Sequence, residues 1–159
     1  MPAPAALAPP SVPFAATLHV RDHCLCLHAQ RAARALARRF DGALRPHGLT
    51  SGQFSLLMSL NRPEPAPMGA VADLLAMDRT TLTAALKPLE RRGLVVTAAH
   101  PADRRSRRLA LTEDGARLLA AALPVWTRTH AEVDGLLAER GGDALRADLR
   151  ALGRQGAES

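Results

Sequence analysis

The side chains best suited to chemistry in this 159-residue chain are the basic residues grouped between positions 79 and 108. This stretch contains eight basic and two acidic residues, so its net charge of +6 equals that of the whole chain. Basic groups concentrated in this way neutralise phosphates, and phosphate neutralisation supplies much of the free energy of DNA binding. The charge distribution therefore predicts a nucleic-acid interface here.

Local signals around these charges predict the elements that carry them. Asp78 is suited to cap a helix whose apolar positions 82, 86 and 89 form one face, and Gly93 is suited to end it. Pro88 inside this helix is expected to bend it near residues 84–87. Two short apolar runs follow, and they flank a turn rich in arginine. Helix, strand, charged turn and strand in this order predict a winged helix-turn-helix with a recognition helix and a wing.

The candidate DNA contacts lie on the outer face of that helix and in the wing. Arginine pairs bidentately with guanine, and threonine contacts thymine methyl groups or phosphates. Dense like charges in the wing repel one another unless an anion binds, which favours entry of Arg104 or Arg105 into a minor groove. Strand alternation predicts that Arg107 and Arg108 do not both face DNA. The predicted DNA-binding residues are Arg79, Thr80, Thr81, Thr83, Lys87, Arg104, Arg105 and Arg107.

A second group of reactive side chains, three histidines and two cysteines, lies between residues 19 and 28. Cys24 and His28 have helical i, i+4 spacing, but no third ligand is fixed nearby, so no metal site is predicted. Adjacent residues of a helix do not face each other, so residues 22–24 are not a catalytic triad. No nucleophile, base and orienting group can be placed together, and no phosphate-binding loop exists. The chain is therefore predicted to be no enzyme and to need no cofactor.

Two cysteines on one helix, two residues apart, point to different faces, so no internal disulfide is expected. Cys24, Cys26 and His28 remain candidates for an effector or redox site. The alternative is that Cys26 is a buried cysteine that acts as a small hydrophobe. Neither interpretation is favoured by the residues alone.

The amino-acid composition and the positions of Pro and Gly predict the secondary-structure elements around these groups. Ala and Leu dominate the 47% hydrophobic fraction, and Tyr is absent, which indicates a mostly α protein with a small β-wing. Residues 1–17 are rich in Ala and Pro and are predicted to form a disordered arm. A first helix is predicted over about residues 18–44, and a capping box of Thr50 and Gln53 is predicted to start a second. The prolines at 63, 65 and 67 are predicted to form a stiff loop before a third helix at about 68–75. No apolar run reaches 18 residues and no signal peptide is recognised, so a cytoplasmic protein without a membrane partner is expected.

The first and last helices have long apolar stripes, at residues 25–44 and 145–152. Pro124 is expected to kink the long helix between them. These stripes exceed what a small winged-helix core can cover, and exposed apolar surface of this kind needs a partner. A second copy of the chain would cover it and would present two recognition helices to a pseudo-palindromic operator in double-stranded DNA.

Together these motifs resemble the MarR family of bacterial regulators. The resemblance is carried by residues 71–83, 89–95, 103–107 and 111–115, and it extends over about residues 18–153. It implies one MarR-like unit over 18–159, with dimerisation helices at about 18–46 and 113–153 and a winged-helix part at about 50–112. It also implies a homodimeric, sequence-specific repressor that a small aromatic or carboxylate effector releases from DNA.

The resemblance leaves alternatives open. Organic-peroxide sensors within the family have a reactive cysteine on the first helix, and Cys26 has about the matching register. Those sensors bond the thiolate with tyrosines, whereas this chain has none and places Phe40 and Ser51 there. A thiol-based sensor is thus one alternative, and an architectural DNA-binding protein is another. A small-molecule pocket is predicted between the first, second and fifth helices, with His28 as a candidate to bind an acid.

Overall fold

The computed structural model describes residues 11–100, 103–137 and 141–154, with side chains for these residues except 99–106 and 154. The helices in these ranges are α1 (Phe14–His23), α2 (Leu25–Leu44), α3 (Ser51–Ser59), α4 (Met68–Leu74), α5 (Arg79–Arg91), α6 (Glu113–Gly135) and α7 (Gly142–Arg154). The strands are β1 (Ala66–Pro67), β2 (Val95–His100) and β3 (Asp103–Leu111), and a short 3-10 helix spans Arg45–His47. The predicted mostly α fold with a small sheet is confirmed. None of the described helices combines the length and hydropathy needed to cross a membrane.

The chain divides into two compact units, residues 1–36 and 37–159. In the first unit, α1 begins at Phe14, so residues 14–17, the last four of the predicted disordered arm, are helical. The predicted single helix from residue 18 to 44 is wrong, because Cys24 has an extended backbone and separates α1 from α2. The Cys24 Sγ accepts a hydrogen bond from the Leu27 backbone N–H at 3.4 Å and so caps the start of α2.

In the second unit, leucines from several elements form the core. The most deeply buried large side chains are Leu44, Leu56, Leu57, Leu82, Leu86, Leu89, Leu109 and Val71. The predicted capping box starts α3: the Gln53 N–H donates to the Thr50 hydroxyl, and the Gln53 amide accepts from the Thr50 N–H. Asp41 adds a third bond by accepting from the Ser51 N–H at 2.6 Å. The start of α3 is therefore fixed by both local and non-local partners.

The wing is an antiparallel pair, β2 and β3, in which Val95 lies opposite Leu111 and Thr97 opposite Leu109. β1 adds a third strand on the other side of β3, with Ala66 opposite Leu109. The sequence predicted only a stiff proline loop there. Pro67 cannot donate a ladder hydrogen bond, but an edge strand tolerates it.

The junction between the wing and α6 is tightly packed. The Thr112 hydroxyl accepts from the Gly115 N–H at 3.0 Å and donates to the Gly93 carbonyl at 2.6 Å. A Cβ on Gly115 would overlap the Leu94 carbonyl oxygen, so this position has no room for a side chain. α6 then continues through Pro124 to Gly135, and α5 likewise continues through Pro88.

Candidate nucleic-acid interface and effector sites

The recognition helix α5 divides into two faces. Leu82, Leu86 and Leu89 are buried in the core. The predicted DNA-contact residues of this helix, which all lie exposed on its outer side, are Arg79, Thr80, Thr81, Thr83 and Lys87. The amphipathic pattern of α5 therefore places the predicted side chains together on one surface.

Asp78 caps α5 as predicted. Its carboxylate accepts from the Thr81 N–H and from the Thr81 hydroxyl, each at 2.7 Å, and these bonds lower the pKa of Asp78. The Thr81 hydroxyl proton is thus used within the protein, which leaves only the methyl group and oxygen lone pairs of Thr81 for DNA. Thr83 similarly donates to the Arg79 carbonyl at 2.7 Å. The structure gives Thr81 a capping role that the sequence had assigned to Asp78 alone.

The two described wing arginines lie in different environments. Arg107 is exposed, whereas Arg108 is half-buried and donates to the Pro65 carbonyl at 3.3 Å. This difference agrees with the predicted alternation along the strand, by which Arg107 and Arg108 point to opposite faces. The side chains of Arg104 and Arg105, which the sequence also assigned to DNA, lie outside the described residues, although their backbone belongs to β3.

A cavity of about 290 Å³ separates α5 from the wing. Its lining consists of Met68, Thr83, Leu86, Glu90, Thr97 and Arg107. The Thr97 hydroxyl donates to the Glu90 carboxylate at 2.5 Å and so joins β2 to the last turn of α5. Two predicted DNA residues, Thr83 and Arg107, therefore share one concave surface.

Arg92 has a structural role that the sequence did not reveal. Its guanidinium donates to the Gly48 carbonyl at 2.8 Å, across 44 positions of the chain. Gly48 has a left-handed backbone and ends the 3-10 helix. No local signal predicts this bond, because its partners are distant in the sequence and meet at the surface only when the chain is folded.

The candidate redox residues lie in the N-terminal unit. Cys26 is exposed within the chain, contrary to the interpretation as a buried hydrophobe, and its Sγ accepts from the Gln30 amide at 3.2 Å. His28 contacts the Asp22 carbonyl oxygen at 3.2 Å. Cys24 lies between α1 and α2 and not inside a helix, and both Cys24 and Cys26 are free thiols. Within the described ranges, no group of three His, Cys, Asp or Glu side chains could hold a metal ion.

A second cavity, of about 390 Å³, lies between α3, α4 and α6. Its lining consists of Phe54, Ser55, Met58, Ser59, Leu74, Leu75 and Trp126. Trp126 stacks on Phe54 with ring centroids 5.9 Å apart, and His130 lies 4.7 Å from Trp126. The pocket was predicted between the first helix, α3 and α6, whereas this cavity lies between α3, α4 and α6. Its described lining includes neither His28 nor a basic side chain.

Comparison with known proteins gives this architecture a family. A sequence profile of the MarR family matches residues 47–106. The organic hydroperoxide resistance transcriptional regulator of Bacillus subtilis is 30% identical over 65% of this chain and 71% of its own. A crystal structure of the M. tuberculosis transcriptional regulator MosR with DNA is 37% identical, with a TM-score of 0.77, over 85% of this chain and 97% of MosR.

The repressor CouR, solved on a 23-mer DNA duplex, is 30% identical over 87% of this chain and 96% of its own, with a TM-score of 0.68. CouR from Rhodococcus jostii, bound to p-coumaroyl-CoA, aligns with 25% identity over 83% of this chain and 93% of its own, with a TM-score of 0.69. These solved chains are matched over nearly their whole length. The chain described above belongs to the MarR family of DNA-binding transcriptional regulators.

Proposed function

We propose that this protein is a homodimeric repressor that acts on DNA in the cytoplasm and has no catalytic activity of its own. The observation that carries the proposal is the two-faced recognition helix, with buried leucines on one side and Arg79, Thr80, Thr83 and Lys87 exposed on the other. These four residues read base edges in a major groove. Arg104, Arg105 and Arg107 bind the backbone or the adjacent minor groove.

The dimer rests on apolar surface that the chain itself does not cover. Phe14 and Leu25 are each 71% exposed, and the apolar face of α7 is also open at Leu145, Leu149 and Leu152. Apolar residues grouped at helical spacing mark an interaction surface. A second copy is the simplest partner, because a two-fold dimer presents two recognition helices to one pseudo-palindromic operator.

The DNA-binding role is tested by comparing a variant of the recognition helix with a variant of the wing. A duplex selected from a random pool by the protein itself serves as the operator, and a scrambled duplex serves as the control. Arg79→Ala should weaken operator binding by about 1–3 kcal/mol and leave the scrambled duplex nearly unaffected. Arg105→Ala should weaken both and flatten the salt dependence. Equal wild-type affinity for both duplexes would instead favour an architectural DNA-binding protein.

The cavity beside Trp126 is the proposed effector site. A stacked aromatic wall and apolar side chains suit a small aromatic ligand. Because no basic side chain is among its described lining residues, a carboxylate buried there would lack a counter-charge from these residues, and its desolvation would be costly. We therefore favour an uncharged aromatic effector over a carboxylate. CouR supports the general mode, since a CouR repressor was solved with a DNA duplex and CouR from Rhodococcus jostii was solved with p-coumaroyl-CoA, which has an aromatic group.

Trp126 is the only tryptophan of the chain, so its fluorescence reports this cavity directly. Methyl 4-hydroxybenzoate should quench it at lower concentration than 4-hydroxybenzoate at neutral pH, and should release the operator in the same range. Ser55→Phe, which fills the cavity, should abolish both effects without changing operator affinity in the absence of ligand. Tighter binding of the carboxylate would contradict the proposed ligand class.

A thiol sensor is the second candidate, because Cys26 is exposed and the B. subtilis relative is a hydroperoxide resistance regulator. Wild type, Cys24→Ser and Cys26→Ser would be treated with an organic peroxide, and operator release followed by fluorescence anisotropy. Loss of release only in Cys26→Ser identifies Cys26 as the sensing thiol. Loss in both variants indicates a disulfide, and no release from wild type leaves the small-molecule effector.

A further inference from the structure

Two opposite charges line the cavity between α5 and the wing without pairing. Glu90 lies in the last turn of α5, and Arg107 lies on β3. The ion pairs found among the described side chains do not include one between them. The Glu90 carboxylate instead accepts the hydrogen bond from the Thr97 hydroxyl at 2.5 Å.

The register of the wing puts Thr97 and Arg107 on the same face. Thr97 lies opposite Leu109, and Arg107 is two residues from Leu109 on the same strand. Residues two apart on a strand point to the same side, so Arg107 is a diagonal neighbour of Thr97. Diagonal neighbours are about 7–8 Å apart, a distance that a long side chain spans. Arg107 could therefore reach the region that Glu90 occupies.

We propose that Thr97 is a positioning residue that holds Glu90 away from Arg107 and so keeps Arg107 available for a DNA phosphate. Ion pairs between exposed groups are weak, which means that a single hydrogen bond is enough to decide where the Glu90 carboxylate rests. Without the Thr97 hydroxyl, Glu90 turns to Arg107 and competes with DNA for it. This inference rests on the proposed function, because it assigns a phosphate contact to Arg107.

The test is a mutational cycle in which binding to the operator and to the scrambled duplex is measured over a range of salt concentrations. Thr97→Val keeps the shape of the side chain and removes its hydroxyl. It should weaken binding to both duplexes about fivefold at low salt and reduce the salt slope by about one phosphate contact. Arg107→Ala should give a similar loss, and Thr97→Val should add nothing to it.

The rescue separates this role from a merely structural one. In Thr97→Val with Glu90→Gln, the competing charge is gone, so affinity and salt slope should return to wild-type values. Thr127→Val is the matched control, because it removes a threonine hydroxyl bonded to the Leu123 carbonyl on α6, and it should leave DNA binding unchanged. Circular dichroism melting confirms that each variant is folded.

Three outcomes would overturn the inference: no loss in Thr97→Val, an equal further loss in the Arg107→Ala background, or no rescue by Glu90→Gln. Each of these leaves the proposed function intact as long as wild type prefers the operator and Arg79→Ala removes that preference. Failure of wild type to prefer the operator would instead reject the proposed function.

Discussion

The winged-helix part and the N-terminal unit use their apolar residues in different ways. In the winged-helix part, leucines from α3, α5 and β3 are fully enclosed by one another. In residues 11–36, no described residue is buried, and the apolar side chains of α1 and of the start of α2 are open. The helix α7 shares this open character. One part of the chain is therefore stabilised by its own core, while the other presents surface suited to a second molecule.

The largest expected effect is the loss of unfolding free energy when a core leucine is truncated, compared with a leucine of the open surface. Leu86→Ala should lower the free energy of unfolding by about 2–5 kcal/mol, because it opens a cavity beneath the recognition helix. Leu149→Ala removes the same atoms from a half-exposed site on α7 and should cost far less under conditions where the protein is monomeric. Urea denaturation followed by circular dichroism measures both. Equal costs would contradict the distinction between the two regions.

The next effect concerns the open surface. Leu149→Asp combined with Leu152→Asp should halve the mass measured by light scattering at micromolar concentration, because charges at these positions oppose apolar association. Removal of residues 141–159 should do the same. Operator affinity should fall by about 100-fold, since a monomer reads only one half-site. Leu74→Asp, which charges an equally open leucine on α4, is the control and should leave the mass unchanged.

A variant that remains folded and dimeric after the loss of residues 141–159 would contradict the role of α7. It would also leave the N-terminal unit and α6, with exposed apolar residues such as Leu123, as candidates for the interface. The mass measurement thus distinguishes the contributions of the two open regions.

The smallest predicted effect is the acid sensitivity of the recognition helix. The hydrogen bonds from Thr81 hold the pKa of Asp78 below its ordinary value of 3.8. The cap therefore stabilises the helix fully above that value, and the contribution is lost as the pH falls through the lowered pKa. Asp78→Asn can still cap but cannot titrate, so its melting temperature should depend slightly less on pH between about 5 and 3. Asp73→Asn, on the neighbouring helix, is the control; an identical profile for wild type and Asp78→Asn would reject this role of the carboxylate.

The structural features that the sequence predicted correctly are formed by residues that are close together in the chain. The caps formed by Thr50 with Gln53 and by Asp78 use partners within three positions, so their residue types suffice. Gly93 ends α5 in a left-handed conformation for the same local reason. The charge of the wing is likewise visible without a structure. The recognition helix and its exposed face followed from these signals.

Most of the features that the sequence did not predict are formed by residues that are far apart in the chain. The strand at Ala66 exists because β3 pairs with it, and Arg108 and Arg92 bind carbonyls 43 and 44 positions away. The break at Cys24 was missed because a thiol is an uncommon helix cap, so the apolar periodicity suggested continuity. The Thr97–Glu90 bond needed the wing to fold back on α5. Apart from the break at Cys24, each of these features joins residues from separate parts of the chain, so no local pattern marks it.

The absence of a side chain at Gly115 has a mechanical consequence. The first turn of α6 rests directly on the Leu94 carbonyl, and the Thr112 hydroxyl ties it to Gly93. Trp126 lies about three turns further along the same unbroken helix, or roughly 16 Å away. One helix, α6, thus connects Trp126 in the lining of the aromatic cavity with Thr112 and Gly115 at the junction with the wing. Pro124 lies between these two ends and cannot donate the backbone hydrogen bond that closes this turn of the helix. A movement of Trp126 can therefore travel along α6 to the junction with the wing only through the turn that is held least firmly.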